Sequence, residues 1–338
     1  MIDAECIDKF IGVLWLGGST AALLLLLLLT PSSSSFLPLP GFFANALRAI
    51  GSRGRSWRPE QIFAVPKSWF VYFYYTGTAV TLALLYLTSK PLYRFTDQNP
   101  GETAPQLALT LFLVHTVRRL LESELIQRHG RGKKMHLLTW VLGLLYYITV
   151  PAAIAGGTRT SLSLHLASLH ATGWGQLFLF RTPLKSYKWP SYKGKIVTGA
   201  SLPVLAKAAD RSYTSLFKTR PRSTTAGVAL FVVGNLLQHV AHRQLAALRE
   251  KPGMEDKYGQ PSSWVFQLVS CPHYLAEIVL YSGLFTLLSP VTTWTVHGPI
   301  MLFIVANLAC TAKQTHMWYR AKFQNYPKKR KALIPYIF

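Results

Sequence analysis

Charged residues, and acidic ones above all, are scarce in this sequence. Only 14% of its 338 residues are charged, and 13 Asp and Glu stand against 36 Lys and Arg. A typical soluble domain has about 25% charged residues. From Ile278 to Ala312 there is no charged residue at all. This composition argues against a soluble multidomain protein.

The sequence also lacks several motifs that would define a site. Its three cysteines, Cys6, Cys271 and Cys310, form no CxxC pair, so no disulfide framework is predicted. There is no GxGxxG after a strand and no P-loop, so a bound nucleotide would have to lie inside a helical bundle. The spacing of His273 and Glu277 suits half of a metal site, but no matching second pair follows. We therefore predict no metal.

The chain contains several long apolar runs. About 20 apolar residues are enough for one helix to cross a bilayer. These runs predict an all-α membrane protein, a single domain over 1–338 folded as a seven-transmembrane-helix bundle. The predicted spans are Phe10–Thr30, Ser68–Ser89, a helix from Thr103 through Arg119, Leu137–Gly156, Thr224–Ala241, and two within Ile278–Ala312, separated at Ser289-Pro290. Within the domain, 1–60 is an anchor helix and basic loop, 61–156 holds helices two to four, 157–223 is a long basic loop, and 224–338 holds the C-terminal helices and a basic tail.

The net charge of +23 comes mostly from loops between these spans. It therefore predicts topology and lipid headgroup contact rather than nucleic-acid binding. The acidic N-terminal segment, with Asp3, Glu5 and Asp8, is unlike the positive start of a signal peptide and predicts a retained anchor. The basic tail predicts a cytosolic C-terminus. The loop 157–223 is basic yet falls on the opposite side, which the rule tolerates for loops beyond about 60 residues.

Polar residues recur inside or beside the apolar spans, where they are costly and usually functional. They form four groups that share helix faces: His115, Arg118, Arg119 and Glu122; Gln238, His242 and Arg249; His273 and Glu277; and His316, Tyr319 and Arg320. Each group also has a structural interpretation, as a helix end that reaches headgroups or as polar packing between helices. Three groups lie in the C-terminal half, so we predict a cationic cavity among the C-terminal helices that holds an anionic ligand.

Several of these stretches resemble the steroid 5-alpha-reductase family. The resemblance rests on VSCPHYLAEI (269–278), on the spacing of Gln238, His242 and the LRExPG that follows, and on the terminus YPKKRKALIPYIF (326–338). HTVRRLLES (115–123) and FAVPKSWFVYFYY (63–75) are similar to the branch of that family that acts on long isoprenoids. The similarity covers roughly residues 60–140 and 230–338.

The resemblance implies an endoplasmic-reticulum enzyme that uses NADPH to reduce the alpha-isoprene double bond of polyprenol or polyprenal, for dolichol synthesis and protein N-glycosylation. It implies these cofactor-binding positions: Arg119, Gln238, His242, Arg249, Glu277, His316, Tyr319 and Arg330. His242 stands where relatives have aspartate, and His273 where the steroid enzymes have asparagine. In the steroid enzymes a tyrosine and a glutamate bind the substrate carbonyl. Thr116 occupies the position of that tyrosine, and Glu60 is only a loose counterpart of that glutamate. This difference favours a substrate other than a steroid.

The chemistry indicates which substrate is easier to reduce. An isolated alkene accepts hydride poorly, whereas a conjugated carbonyl spreads the charge onto oxygen, where a donor can stabilise it. Polyprenal is therefore an easier substrate than polyprenol. His273, Glu277, His115 and Tyr274 are the predicted catalytic residues. His115, Tyr274 and His273 are the candidate donors to oxygen, and we favour His273, because its ordinary pKa of about 6.5 suits proton transfer near neutral pH.

Other functions fit the same layout. They are a steroid or enoyl reductase of the family, a membrane isoprenoid methyltransferase, and a lipid-binding scaffold without catalysis. The predicted partners are a long-chain isoprenoid and membrane lipid, with no nucleic acid and no obligate protein partner inferred.

Overall fold

The computed structural model describes residues 4–28, 63–88, 100–127, 133–156, 220–250, 259–288 and 294–338. This part of the chain contains seven long helices: α1 (Ala4–Leu28), α2 (Val71–Thr88), α3 (Pro100–Leu121), α4 (Leu137–Ala155), α5 (Pro221–Ala247), α6 (Pro272–Leu288) and α7 (Trp294–Lys322). It also contains two short strands, β1 (Ala64–Pro66) and β2 (Lys134–His136). The predicted substrate residue Glu60, the break at Ser289-Pro290 and nearly all of the loop 157–223 lie outside the described residues.

Four of these helices are long and apolar enough to cross a membrane. The stretches are Lys67–Thr88, Leu137–Ala155, Pro221–Ala247 and Val296–Lys322, which correspond to α2 with the turn before it, α4, α5 and α7. The predicted helical membrane protein is confirmed in this coarser form. The apolar part of α1, Phe10–Leu24, is shorter than a span, and the count of seven spans stays a prediction.

Helices α5 and α6 pack most intimately, and glycines make the approach possible. A Cβ added at Gly227 would lie 2.8 Å from the carbonyl oxygen of Gly283, and one added at Gly234 would lie 2.6 Å from that of Ala276. Backbones this close are typical of membrane helices with small residues at the interface. Elsewhere α1 packs along α7, and α2 packs against both α3 and α4.

The two strands tie the starts of α2 and α4 together. They pair antiparallel, with Val65 opposite Met135. His136, the last residue of β2, caps α4, because its Nδ1 accepts the backbone N–H of Leu138 at 3.2 Å. Burial lowers the pKa of His136, which favours the neutral ring that this cap requires. The paired strands therefore hold the starts of α2 and α4 side by side.

The tail after α7 folds back onto the segment before α6. Val269 and Lys331 form a parallel bridge, and the backbone N–H of Ser270 donates to the carbonyl of Lys331 at 2.8 Å. Ala332 and Leu333 are buried in a small cluster with Cys271. The two segments predicted to carry family motifs, 269–278 and 326–338, thus contact each other.

Candidate active site

A cavity of about 460 Å³ lies between the helices. All seven described helices contribute to its lining, α3 through Arg119 alone. One part of the wall is apolar and is formed by Gly18, Ala22, Phe70, Leu142, Phe303 and Leu308. The other part is polar and is formed by Tyr74, Arg119, His242, Arg249, His273 and Glu277. A cavity with an apolar wall and a few convergent polar groups is the usual form of a small-molecule site.

The carboxylate of Glu122 is the centre of the polar network beside the cavity. Glu122 is the first residue of a π-helical turn, Glu122–Ile126, that ends α3. It is 1% exposed. It accepts hydrogen bonds from Arg118 and Arg119, and the Nδ1 atom of His239 lies 2.6 Å from its Oε1. Buried carboxylates need such partners, since an unpaired buried charge is very costly.

His242 joins this network from α5. Its Nδ1 lies 2.9 Å from Oε2 of Glu122 and 2.7 Å from Nη1 of Arg119. This nitrogen either donates to the carboxylate or accepts from the guanidinium, depending on the tautomer. In both cases His242 is held at the cavity wall between α3 and α5.

Two arginines link Glu122 to both sides of the cavity. Arg119 donates from Nη2 to the hydroxyl oxygen of Tyr74 on α2 at 2.5 Å. Arg118 donates to Asn235 at 2.9 Å and to the side-chain oxygen of Gln238 on α5. The amide nitrogen of Gln238 in turn donates to Oε2 of Glu277 on α6 at 3.3 Å. Polar groups on α2, α3, α5 and α6 are thereby connected.

The structure brings together most of the residues predicted for the site. Seven of them line the cavity: Arg119, His242, Arg249, His273, Tyr274, Glu277 and Tyr319. Gln238 lies behind the wall, buried, and contacts the cavity through Glu277. These residues come from α3, α5, α6 and α7 and from the turn after α5.

His115 and Thr116 lie elsewhere, and neither lines the cavity. His115 is 1% exposed and packs against the rings of Phe112 and Tyr281. The hydroxyl of Thr116 donates to the carbonyl of Leu113, one turn earlier in α3, at 3.0 Å. As placed, neither side chain contacts a molecule bound in this cavity.

His316 and Arg330 belong to the contact between α7 and the tail. The Oγ atom of Ser270 lies 2.7 Å from Nδ1 of His316 and 2.6 Å from the hydroxyl of Tyr326. The guanidinium of Arg330 stacks over the ring of Tyr326 and donates to the carbonyl of Pro261 at 3.0 Å. The ring of Tyr326 also stacks on Tyr319, which lines the cavity. These two predicted residues therefore lie one layer behind the cavity wall.

Sequence reasoning missed part of the site. It placed Glu122 on a polar helix face but assigned it no role, and it did not single out Tyr74, Tyr147, Asn307 or Gln314, which line the cavity. The FAVPKSWFVYFYY stretch, which includes Tyr74, was already recognised as a motif. Within the described residues, no three His, Cys, Asp or Glu side chains are arranged to hold a metal ion.

Comparison with known proteins identifies the class. Residues 205–338 match the family described as 3-oxo-5-alpha-steroid 4-dehydrogenase. Over 315 residues the chain is 29% identical to Polyprenal reductase 1 of Arabidopsis thaliana, an alignment that covers 88% of this chain and 89% of the relative. It is 27% identical to Polyprenal reductase of Caenorhabditis elegans, with 81% and 80% covered, and 27% identical to that of Xenopus laevis, with 85% and 82% covered.

These findings confirm the resemblance to the steroid 5-alpha-reductase family that the sequence motifs indicated. They also confirm the predicted class of enzyme, a reductase that acts on a carbon–carbon double bond. The similarity to the three relatives extends well beyond the C-terminal segment that matches the family, to more than four fifths of the chain.

Proposed function

We propose that this protein reduces the alpha-isoprene double bond of polyprenal, with NADPH as the reductant, to give dolichal for dolichol synthesis. The observation that carries the proposal is a cavity in which an apolar wall meets Arg119, Tyr74, His242, His273 and Glu277. The similarity to proteins named polyprenal reductase over most of their length supports the same substrate.

The residues at the cavity fit a nicotinamide nucleotide. Arg249 supplies a guanidinium group, which suits phosphates, and Glu277 supplies a carboxylate that can accept from ribose hydroxyls or the carboxamide. His273 and Tyr274 lie on the same turn of α6 as Glu277, with ring centroids 4.1 Å apart. When bound, the cofactor would supply the hydride, and these side chains would bind and orient it.

The residues behind the cavity wall would act indirectly, through the side chains that line it. Arg330 and His316 would stiffen the layer behind Tyr319 rather than contact the nucleotide. Gln238 would orient the carboxylate of Glu277. Groups of this kind fix the geometry of the residues that touch the ligand.

The apolar wall suits the start of an isoprenoid chain. Gly18 and Ala22 of α1 face Phe303 and Leu308 of α7 in this part of the lining. A cavity of this volume does not enclose a long polyprenyl chain, so the rest of the chain would extend between helices into the lipid. A steroid, by contrast, is rigid and would have to fit entirely inside.

The membrane setting is part of the proposal. We place the protein in the endoplasmic reticulum membrane with seven spans and a cytosolic C-terminus. Support comes from the four spans recognised by length and composition, and from the exposed cations Arg320, Lys322, Lys328 and Lys329 after the apolar part of α7. The cavity would then be loaded with nucleotide from the cytosol and with substrate from the bilayer.

The test is NADPH oxidation by the purified protein in detergent. Polyprenal, polyprenol, a steroid enone and an enoyl thioester are offered separately, and the products are identified by mass. The expected result is turnover of polyprenal to dolichal, with polyprenol much slower because its alkene is not conjugated.

Turnover of the steroid alone would contradict the proposed substrate and would return the function to the steroid reductases. Absence of NADPH oxidation with every substrate, combined with methyl transfer from S-adenosylmethionine to an isoprenoid, would replace the reductase with the methyltransferase.

A further inference from the structure

Tyr74 makes an unusual hydrogen bond at the cavity wall. It lies on α2, 5% exposed, and its hydroxyl oxygen accepts from Nη2 of Arg119 at 2.5 Å. A guanidinium group only donates hydrogen bonds and stays protonated in proteins. The phenolic oxygen is therefore the acceptor in this pair, and the phenolic proton is directed elsewhere.

The O–H group of Tyr74 can donate its hydrogen bond into the cavity. Within the described part of the chain, the Tyr74 hydroxyl makes one hydrogen bond, the one that it accepts from Arg119. Tyr74 itself lines the cavity together with Arg119, His273 and Glu277. A buried hydroxyl that neither donates to protein nor reaches water is costly. A ligand that offers an oxygen acceptor at this place removes that cost.

Arg119 also prepares Tyr74 as a donor. Arg119 is 7% exposed, and its guanidinium is held by Glu122, whose Oε2 accepts from Nη1 at 2.5 Å. The same Glu122 accepts from Arg118, so the cation has little freedom to move away. A cation bonded to the phenolic oxygen polarises the O–H bond and strengthens the next hydrogen bond in the chain.

We propose that Tyr74 is a catalytic residue that donates a hydrogen bond to the carbonyl oxygen of the substrate, with Arg119 bonded behind it. This inference rests on the proposed reduction of polyprenal. It replaces His115, which is buried away from the cavity, as the candidate donor from the N-terminal half of the chain.

The step balances as a conjugate addition. Hydride forms a C–H bond at the beta carbon, the alkene electron pair moves to the bond between the alpha and carbonyl carbons, and the carbonyl electron pair moves onto oxygen. Tyr74 and the charge of Arg119 stabilise that oxygen where the negative charge develops. A proton from solvent water then adds at the alpha carbon and restores the carbonyl, so the product is the saturated aldehyde, and the two electrons of the reduction come from the hydride.

The neighbouring tyrosine provides a matched control. Tyr75 is 47% exposed, and its hydroxyl donates to Oε1 of Glu124 at 2.9 Å, outside the cavity. Tyr74→Phe and Tyr75→Phe each remove one hydroxyl and keep the ring. Tyr74→Phe retains the packing of that ring against Tyr147.

The experiment measures kcat and KM for polyprenal in the wild type and both variants, together with the Kd for NADPH. Rates are expressed per molecule able to bind NADPH, so that partial unfolding cannot imitate a catalytic defect. We expect Tyr74→Phe to lower kcat by about 100- to 1,000-fold, the usual effect of removing one donor to a developing oxyanion. KM and the Kd for NADPH should change by less than about threefold, and Tyr75→Phe should match the wild type.

Two results would contradict the inference. Wild-type kcat in Tyr74→Phe, with polyprenal reduced normally by the wild type, would remove Tyr74 from the reaction and leave the proposed function intact. An equal loss of kcat in Tyr75→Phe would show that the hydroxyls act through the stability of α2. A wild-type protein that does not reduce polyprenal would instead contradict the proposed function itself.

Discussion

Glu122 is the residue on which most of the polar site depends. Its carboxylate accepts from Arg118 and Arg119 and contacts His239 and His242, so one side chain holds groups from α3 and α5. The neighbouring carboxylate, Glu124, lies on the same π-helical turn but is exposed and bonds Tyr75. The two differ in burial and partners rather than in type.

Glu122→Gln should therefore destabilise the protein strongly. The amide leaves the buried guanidinium of Arg119 and the partly buried one of Arg118 without their anion. Breaking one buried ion pair typically costs about 3–5 kcal/mol. We expect a lower melting temperature in detergent, measured by intrinsic fluorescence, and loss of NADPH binding.

Glu124→Gln is the control for this change. It removes the same charge two residues away, at the surface, and should leave the melting temperature within about a degree, since exposed pairs contribute less than about 1 kcal/mol. Equal melting temperatures for the Glu122 and Glu124 variants would show that the network does not stabilise the fold.

Glu277 is the residue that most directly tests the nucleotide site. Glu277→Gln removes a charged acceptor from the cavity wall while it keeps the side-chain size. Hydrogen bonds to charged groups contribute about 1.5–3 kcal/mol, so the Kd for NADPH should rise about tenfold or more. Energy transfer from Trp318, which lines the cavity, to the bound nicotinamide gives the measurement.

Glu250→Gln, a change at an exposed carboxylate just after α5, is the matched control and should bind NADPH as the wild type does. An unchanged Kd in the Glu277 variant would exclude that carboxylate from nucleotide binding.

At the scale of elements, the α5–α6 contact fixes the distance between His242 and Glu277 across the cavity. Gly234→Ala should disturb it, because the new Cβ would lie 2.6 Å from both the carbonyl oxygen of Ala276 and the backbone nitrogen of Leu280. Overpacking of this kind costs about 1–3 kcal/mol. We expect a melting temperature several degrees lower and a weaker affinity for NADPH.

Gly17→Ala is the corresponding control in α1. Its added Cβ would have no atom within 4 Å, so the change should be neutral or slightly stabilising, as expected for alanine in a helix. If both glycine variants melted at the same temperature, close backbone approach would not limit the α5–α6 contact.

The sequence predicted the helices better than it predicted the network between them. Apolar runs are local signals, so all the predicted spans that lie in the described residues are helical, and the family motifs near residue 270 and at the terminus identified the class. Two of the partners of Glu122, His239 and His242, lie on α5, about 120 residues away, and periodicity carries no information about such pairs. The helix-face spacing singled out His316 and the terminal motif contains Arg330, yet their placement behind Tyr319 follows from the fold of the tail.

At the scale of the whole molecule, the helices bring two chemistries into one cavity. The apolar wall comes largely from α1, α4 and α7, and the polar wall from α2, α3, α5 and α6. The N-terminal helices are therefore part of the site, although the family match covers only residues 205–338. In the proposed reaction, Tyr74 of α2 and Arg119 of α3 would act on the substrate, while α6 would hold the nucleotide.

The most direct test of this account is the fate of a labelled hydride. The protein is incubated with polyprenal and NADPH that carries deuterium at the transferable position, and the product is analysed by mass spectrometry and NMR. Conjugate reduction predicts dolichal with one deuterium at the former beta carbon of the alkene. Deuterium on the carbon that bears oxygen, with the alkene intact, would mean that the enzyme reduces the carbonyl and would contradict the proposed conjugate reduction.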